Sequence, residues 1–305
     1  MRYTFDELMR KAEDEAGGID VPTRATIVKE LLHYDILLAL SRSDLAGRLV
    51  FQGGTALRLC YGGQRYSEDL DFTCGAEATE PFDLGNMEKL LEDHLVRRYN
   101  LTLEVHPPKP GTPREFSGAA VAVKRWRFVL RVPGFAAAQR IHFEVCNVPS
   151  YEPVPMLLQP RYGFLSDVYG DIALQVESLN EILADKAVAL IARNHLKARD
   201  VWDLRWLTEK GVTMDAPLVR RKLGDYRVEA VAERIEQASA RLRADDAPGT
   251  FIAEMSRFVT PSLGARLSSD RAFATAWLDH AQALLERLRT DLAECAPAAP
   301  VTRQE

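Results

Sequence analysis

From Phe51 to Cys74 the chain reads FQGGTALRLCYGGQRYSEDLDFTC. Near its end Asp69 and Asp71 stand one residue apart, with Leu70 between them and Phe72 after. Strand side chains alternate between faces, so the two carboxylates point the same way. Like charges at that spacing repel, and each raises the other's pKa. A divalent cation offsets the repulsion, because hard carboxylate oxygens are ligands for Mg²⁺.

Working upstream, Leu49-Val50-Phe51 is a short apolar strand, Gly53-Gly54 breaks it, and Thr55 to Leu59 begins a helix that Gly62-Gly63 ends. A glycine turn at a helix N-terminus presents free backbone N–H groups to a phosphate, and glycine allows close approach. Asp69 and Asp71 follow Gly54 by 15 and 17 residues. One helix and one turn fit in that interval, so the aspartate strand can lie beside the glycine strand. Downstream, Glu144 sits between Phe143 and Val145, again a carboxylate inside an apolar strand. Three carboxylates and a phosphate-binding turn are the parts that metal-assisted nucleotidyl transfer requires. The metal clamps the triphosphate, and one carboxylate can activate the attacking hydroxyl.

The rest of the chain frames these parts. Pro22 to Leu40 reads as an amphipathic helix, and Phe82 to Tyr99 as another. Ala119 to Val132 and Ile141 to Val145 read as strands joined through Pro133-Gly134 and paired antiparallel. From Ser178 the pattern is helical almost to the end. The expected fold class is therefore α/β (α+β): residues 1–175 form a domain with a mainly parallel or mixed sheet, residues 176–295 are helical, and 296–305 form a disordered tail.

The order of apolar strand, Gly-Gly, helix, D-x-D and later lone acid resembles the nucleotidyltransferase fold superfamily. Within it, FQGGTALRLCYGGQRYSEDLDF is similar to the hallmark segment of the AbiEii-type nucleotidyltransferase toxins, which include the MenT toxins. That family's second signature, a helix with Lys and then Arg followed by R-D-x-x-D-L, matches EILADKAVALIARNHLKARDVWDL, Glu181 to Leu204. The two motifs bracket about half the chain. Lys186 and Arg193 are seven residues apart and share a helix face. Ile182, Leu183, Leu190 and Ile191 would bury the Lys186 stem and leave its ammonium at a cleft, where a cation stabilises triphosphate charge. The resemblance implies that Asp200 belongs to the active site. Asp203 either orients Arg199 or caps the next turn. Arg65 and Ser67 either touch the β- and γ-phosphates or serve as turn residues, and Gly53, Gly54 and Thr55 would receive the triphosphate.

The resemblance also implies an NTP substrate, Mg²⁺, a cognate antitoxin in a toxin–antitoxin or phage-defence system, and, as in some family members, nucleotide addition to the 3′ end of tRNA. An RNA acceptor needs basic, stacking-capable surface. Candidates are Lys124-Arg125-Trp126-Arg127, the group Arg193, His195, Lys197 and Arg199, and Arg220-Arg221-Lys222. Two other readings stay open: transfer to a protein hydroxyl or a small molecule, and a non-catalytic nucleotide-binding module. Composition bounds all of these. The chain has 305 residues, a net charge of -5 and 47% hydrophobic residues, which argues against broad nucleic-acid coating but not against a local basic surface. Its four cysteines show no C-x-x-C pairing, no apolar run approaches the roughly 20 residues of a membrane helix, and the N-terminus lacks a signal-peptide core, so the cytoplasm is the default.

Overall fold

The computed structural model describes residues 3–16, 21–74, 83–108 and 123–295. The expected tail at 296–305 and the first four residues of the strand expected from Ala119 lie outside the described residues. The chain forms two compact units. The described residues up to Ser178 make the first together with Met255–Ser268; Leu179–Glu254 and the described residues from Ser269 onward make the second.

The first unit is built on seven strands: β1 (Val50–Gln52), β2 (Leu70–Thr73), β3 (Thr102–His106), β4 (Val123–Arg131), β5 (Gln139–Cys146), β6 (Pro153–Leu157) and β7 (Ala173–Glu177). They form one mixed sheet in the order β3-β4-β5-β2-β1-β7-β6. β1 runs antiparallel to β2 and parallel to β7, and β2 runs parallel to β5. The strands expected on either side of Pro133-Gly134 are β4 and β5, and they pair antiparallel.

The sheet's two faces follow from strict alternation in the central strands. On one face Phe51, Phe72, Phe143 and Phe128 are fully buried, with ring centroids 5.0, 4.6 and 5.8 Å apart in succession. Burying an aromatic side chain of this size is worth about 1.5–3 kcal/mol, so this stack fixes the register of four strands. On the other face the registered partners run Gln52, Asp71, Glu144 and Arg125 across β1, β2, β5 and β4. A one-residue slip would exchange carboxylates for phenylalanines, and the apolar stack forbids it.

Helices of this unit are α1 (Phe5–Glu15), α2 (Val21–Ser41), α3 (Gly53–Cys60), α4 (Met87–Tyr99) and the single turn α5 (Ser166–Tyr169). α4 stops at Asn100, whose φ of 55° is the left-handed conformation that ends a helix. The second unit holds α6 (Leu179–Ala192), α7 (Ala198–Glu209), α8 (Ala216–Asp225), α9 (Val231–Leu242), most of α10 (Ala247–Met255) and α12 (Arg271–Glu294), while α11 (Pro261–Ser269) belongs almost wholly to the first. The core of the second unit centres on Trp202 and Trp277, stacked at 4.0 Å, with Phe251 alongside. Among the described residues no helix is long and apolar enough to cross a membrane.

Candidate active site

The glycine turn and the aspartate strand meet in the first unit. Gly53 opens α3 with φ +78°, a conformation that L side chains rarely adopt. A Cβ built there would lie 2.9 Å from Asp71 Oδ2, so the carboxylate rests directly on the glycine. At Gly54 a Cβ would fall 2.2 Å from the Arg65 guanidinium. A side chain at either glycine would displace Asp71 or Arg65, and at Gly53 the positive φ would strain it as well.

The segment that delivers Asp69 is fastened along its length. Arg58, buried in α3, pairs with Glu30 of α2 through Nε to Oε2 at 2.6 Å, and its Nη1 donates to the Gly63 and Gln64 carbonyls. Arg65 donates to the Tyr66 carbonyl at 2.9 Å, and the Tyr66 N–H donates to the Phe258 carbonyl at 2.7 Å. Lys29 holds the Glu68 carboxylate at 2.6 Å, and the Thr55 hydroxyl donates to the Asp69 carbonyl. The His33 Nε2 lies 3.1 Å from the Glu68 carbonyl, which can only accept, so this nitrogen carries the proton. Burial pushes the His33 pKa down to about 4, so the ring is neutral at pH 7.

Asp69 and Asp71 are half-buried on the polar face. His142 Nδ1 lies 3.0 Å from Asp69 Oδ1. Glu144 is almost fully buried, and Arg125 Nε reaches its Oε1 at 2.6 Å. Sequence reasoning passed over His142, although it lies two residues before Glu144 and so on the same strand face. Arg58 and Glu30 were also missed, because nothing local marks two helix residues as a buried pair.

The second motif forms a cluster within the second unit. Lys186 Nζ lies 3.0 Å from Asp200 Oδ1 and 2.9 Å from Asp203 Oδ2. Arg193 Nε lies 3.0 Å from Asp200 Oδ2, an ion pair without well-aligned hydrogen-bond geometry. Two cations thus meet two buried carboxylates with no net charge. Asp203 lies against Lys186, and Arg199 Nε lies 3.3 Å from Glu254. Glu254 also pairs with Lys197 at 3.2 Å and accepts from the Ala198 N–H at 2.9 Å, fixing the start of α7.

The expected basic surfaces are reduced. Trp126 is buried edge-on to Phe143 and offers no stacking face. Lys222 is fully buried between Glu181 at 2.6 Å and Asp185 at 3.1 Å. Arg127, His195 and Arg221 remain exposed.

The chain matches the family model described as nucleotidyl transferase AbiEii toxin, type IV TA system, over residues 35–291. Among solved structures, MenT4, a nucleotidyltransferase toxin from Mycobacterium tuberculosis H37Rv, is 20% identical, with 95% of this chain and 99% of that chain covered and a TM-score of 0.49. JHP933 from Helicobacter pylori is 17% identical, with 88% and 93% covered and a TM-score of 0.45. No match was found among curated proteins.

Proposed function

Because the chain belongs to the AbiEii nucleotidyltransferase toxin family, we propose that it transfers a nucleoside monophosphate from an NTP to the 3′ end of an RNA, and that this RNA is tRNA. The family description places the chain among nucleotidyltransferases of toxin–antitoxin systems, which implies an NTP substrate and a cognate antitoxin. The observation that carries the reading is the contact between Asp71 and Gly53. It sets a carboxylate of the proposed metal pair against the turn proposed to take the triphosphate.

The donor set suits Mg²⁺. Asp69 and Asp71 offer hard oxygens from one face, and Glu144 is registered beside Asp71. Among the described residues no three His, Cys, Asp or Glu side chains are grouped so as to hold a metal ion, but Mg²⁺ is commonly held by one or two carboxylates together with substrate phosphates. Bound there, the ion would neutralise charge building on the phosphates. In this reading the Gly53-Gly54-Thr55 turn orients the triphosphate through its N–H groups, with Arg65 and Ser67 at its edge. The acceptor hydroxyl oxygen bonds to the α-phosphorus, the bond to the β-phosphate oxygen breaks, and pyrophosphate leaves. The hydroxyl proton passes to Glu144, which Arg125 holds in place beforehand. Lys186 is assigned to phosphate on the strength of the second motif. Asp200 and Asp203 are its positioning residues, and Arg193 adds a second cation. The cell interior is the compartment where NTP and tRNA are both supplied.

The test uses purified protein, Mg²⁺, each labelled NTP in turn and total tRNA, resolved on a denaturing gel. Label should move onto tRNA with the intact chain, and Asp71→Asn should slow this about a thousandfold. Label arriving on protein or on a small molecule instead would replace the acceptor and keep the chemistry. Full transfer by Asp71→Asn would overturn the site.

A further inference from the structure

A second feature of the first unit lies apart from the carboxylate row and from both sequence motifs. A cavity of about 500 Å³ opens between α2, α4 and α5, lined by Leu38, Ala39, Arg42, Leu90, His94, Arg97, Arg98 and Val168. Its volume falls within the range of sites that hold small organic ligands. Three guanidinium groups and an imidazole surround it, and among the described residues that line it there is no carboxylate. That is unusual for a chain with a net charge of -5.

Each basic group is held differently. Arg98 lies over the Tyr99 and Tyr169 rings, at 5.1 and 5.4 Å from their centroids. His94 Nε2 lies 2.7 Å from Asp35 Oδ1, and Asp35 is itself buried and accepts from the Tyr169 hydroxyl at 2.6 Å. These two groups are therefore braced from behind. Arg97 is exposed; its Nε donates to the Asp93 carbonyl at 2.9 Å, and its Nη2 lies 3.8 Å from the Asp93 carboxylate. Arg42 is exposed, and its side chain makes no ion pair among the described residues. Three guanidinium groups, one braced and two exposed, with an imidazole beside them, suit a multivalent oxyanion, because guanidinium forks bind phosphate oxygens two at a time. The floor is aliphatic, with Val168 40% exposed, which gives the uncharged body of a ligand a surface to cover.

We propose that this cavity binds a phosphate-bearing ligand of nucleotide size, either a free nucleotide or one nucleotide of an RNA chain. The assignment stands independently of the proposed transfer reaction, since none of these residues belongs to the carboxylate row or the glycine turn.

The experiment reads the cavity directly. Full-length protein labelled on Leu and Val methyl groups is titrated in EDTA with adenosine, AMP, inorganic pyrophosphate and a 5′-phosphorylated trinucleotide RNA. The methyl signals of Leu38, Leu90 and Val168 should move with at least one phosphate-bearing probe and stay still with adenosine. The double variant Arg42→Glu, Arg97→Glu should weaken that response at least tenfold, and Arg42→Ala alone should weaken it measurably with the spectrum otherwise unchanged. Saturation by AMP without the trinucleotide identifies a free nucleotide as the source. Tighter binding of the trinucleotide, with a salt dependence that falls in the double variant, identifies RNA. Signals that stay still with every phosphate probe, or that move equally in the double variant, would overturn the proposal. Neither result bears on whether labelled nucleotide reaches tRNA.

Discussion

Gly53 carries two demands at one atom: a positive φ and no room for a Cβ beside Asp71. Gly53→Ala should therefore cost about 1–3 kcal/mol of stability, from strain in the turn, and should slow transfer more than the stability loss explains, because Asp71 must shift. Urea titration and single-turnover kinetics on the same sample separate the two. His142 offers a finer test. Its Nδ1 faces Asp69, so His142→Asn, which keeps a donor at that position, should bind Mn²⁺ nearly as well as the original chain. His142→Gln, whose donor sits one bond further out, should bind about tenfold more weakly, the usual scale for losing a group that orients a metal ligand. Electron paramagnetic resonance of Mn²⁺ in the presence of a non-hydrolysable NTP reads this without turnover.

At the scale of elements, two buried helix residues govern stability. His33, on α2, is neutral in the fold with a pKa near 4, against an ordinary value near 6.5 in the unfolded chain. The unfolded chain thus binds the extra proton first as pH falls. His33 adds no penalty above about pH 6.5, destabilises progressively below it, and levels off below about pH 4, with an upper bound of about 3 kcal/mol. Denaturation midpoints for the original chain and His33→Gln should converge on acidification through this window. Lys222, on α8, lies 2.6 Å from Glu181, and both are fully buried. Lys222→Met should cost about 3–5 kcal/mol, because it takes a close cation away from the buried Glu181 carboxylate. These cases show where sequence reading stops. The α2 and α4 helices, the β4–β5 hairpin and the Gly53–Asp71 segment were legible because period and turn chemistry are local. The roles of His33, Lys222 and Asp203 were not, because each is decided by a partner far away in the chain. Lys222 read as surface charge for that reason, and the Lys186 contact of Asp203 went unread.

For the whole molecule, the first unit is not a continuous stretch. Met255, Phe258 and Val259 are buried in it, and the Phe258 carbonyl accepts from Tyr66 just ahead of the aspartates. A fragment ending at Ser178 would lose those three side chains, each worth about 1.5–3 kcal/mol when buried. It should unfold at markedly lower denaturant than the full chain, and adding the remainder of the chain in trans should raise that midpoint.

The strand that leads into the glycine turn has β2 on one side and β7 on the other, with Phe51 registered to both Phe72 and Val176. On a ribosome, Phe51 emerges long before Val176, and at about 5–20 residues per second the wait is of order ten seconds. Until then one edge of β1 has no partner, and the Tyr66 N–H waits longer still for Phe258. If the triphosphate lies against the aspartates as proposed, a half-made chain has neither contact to frame it. In the proposed reading, activity therefore waits until Val176 and Phe258 have emerged and reached Phe51 and Tyr66.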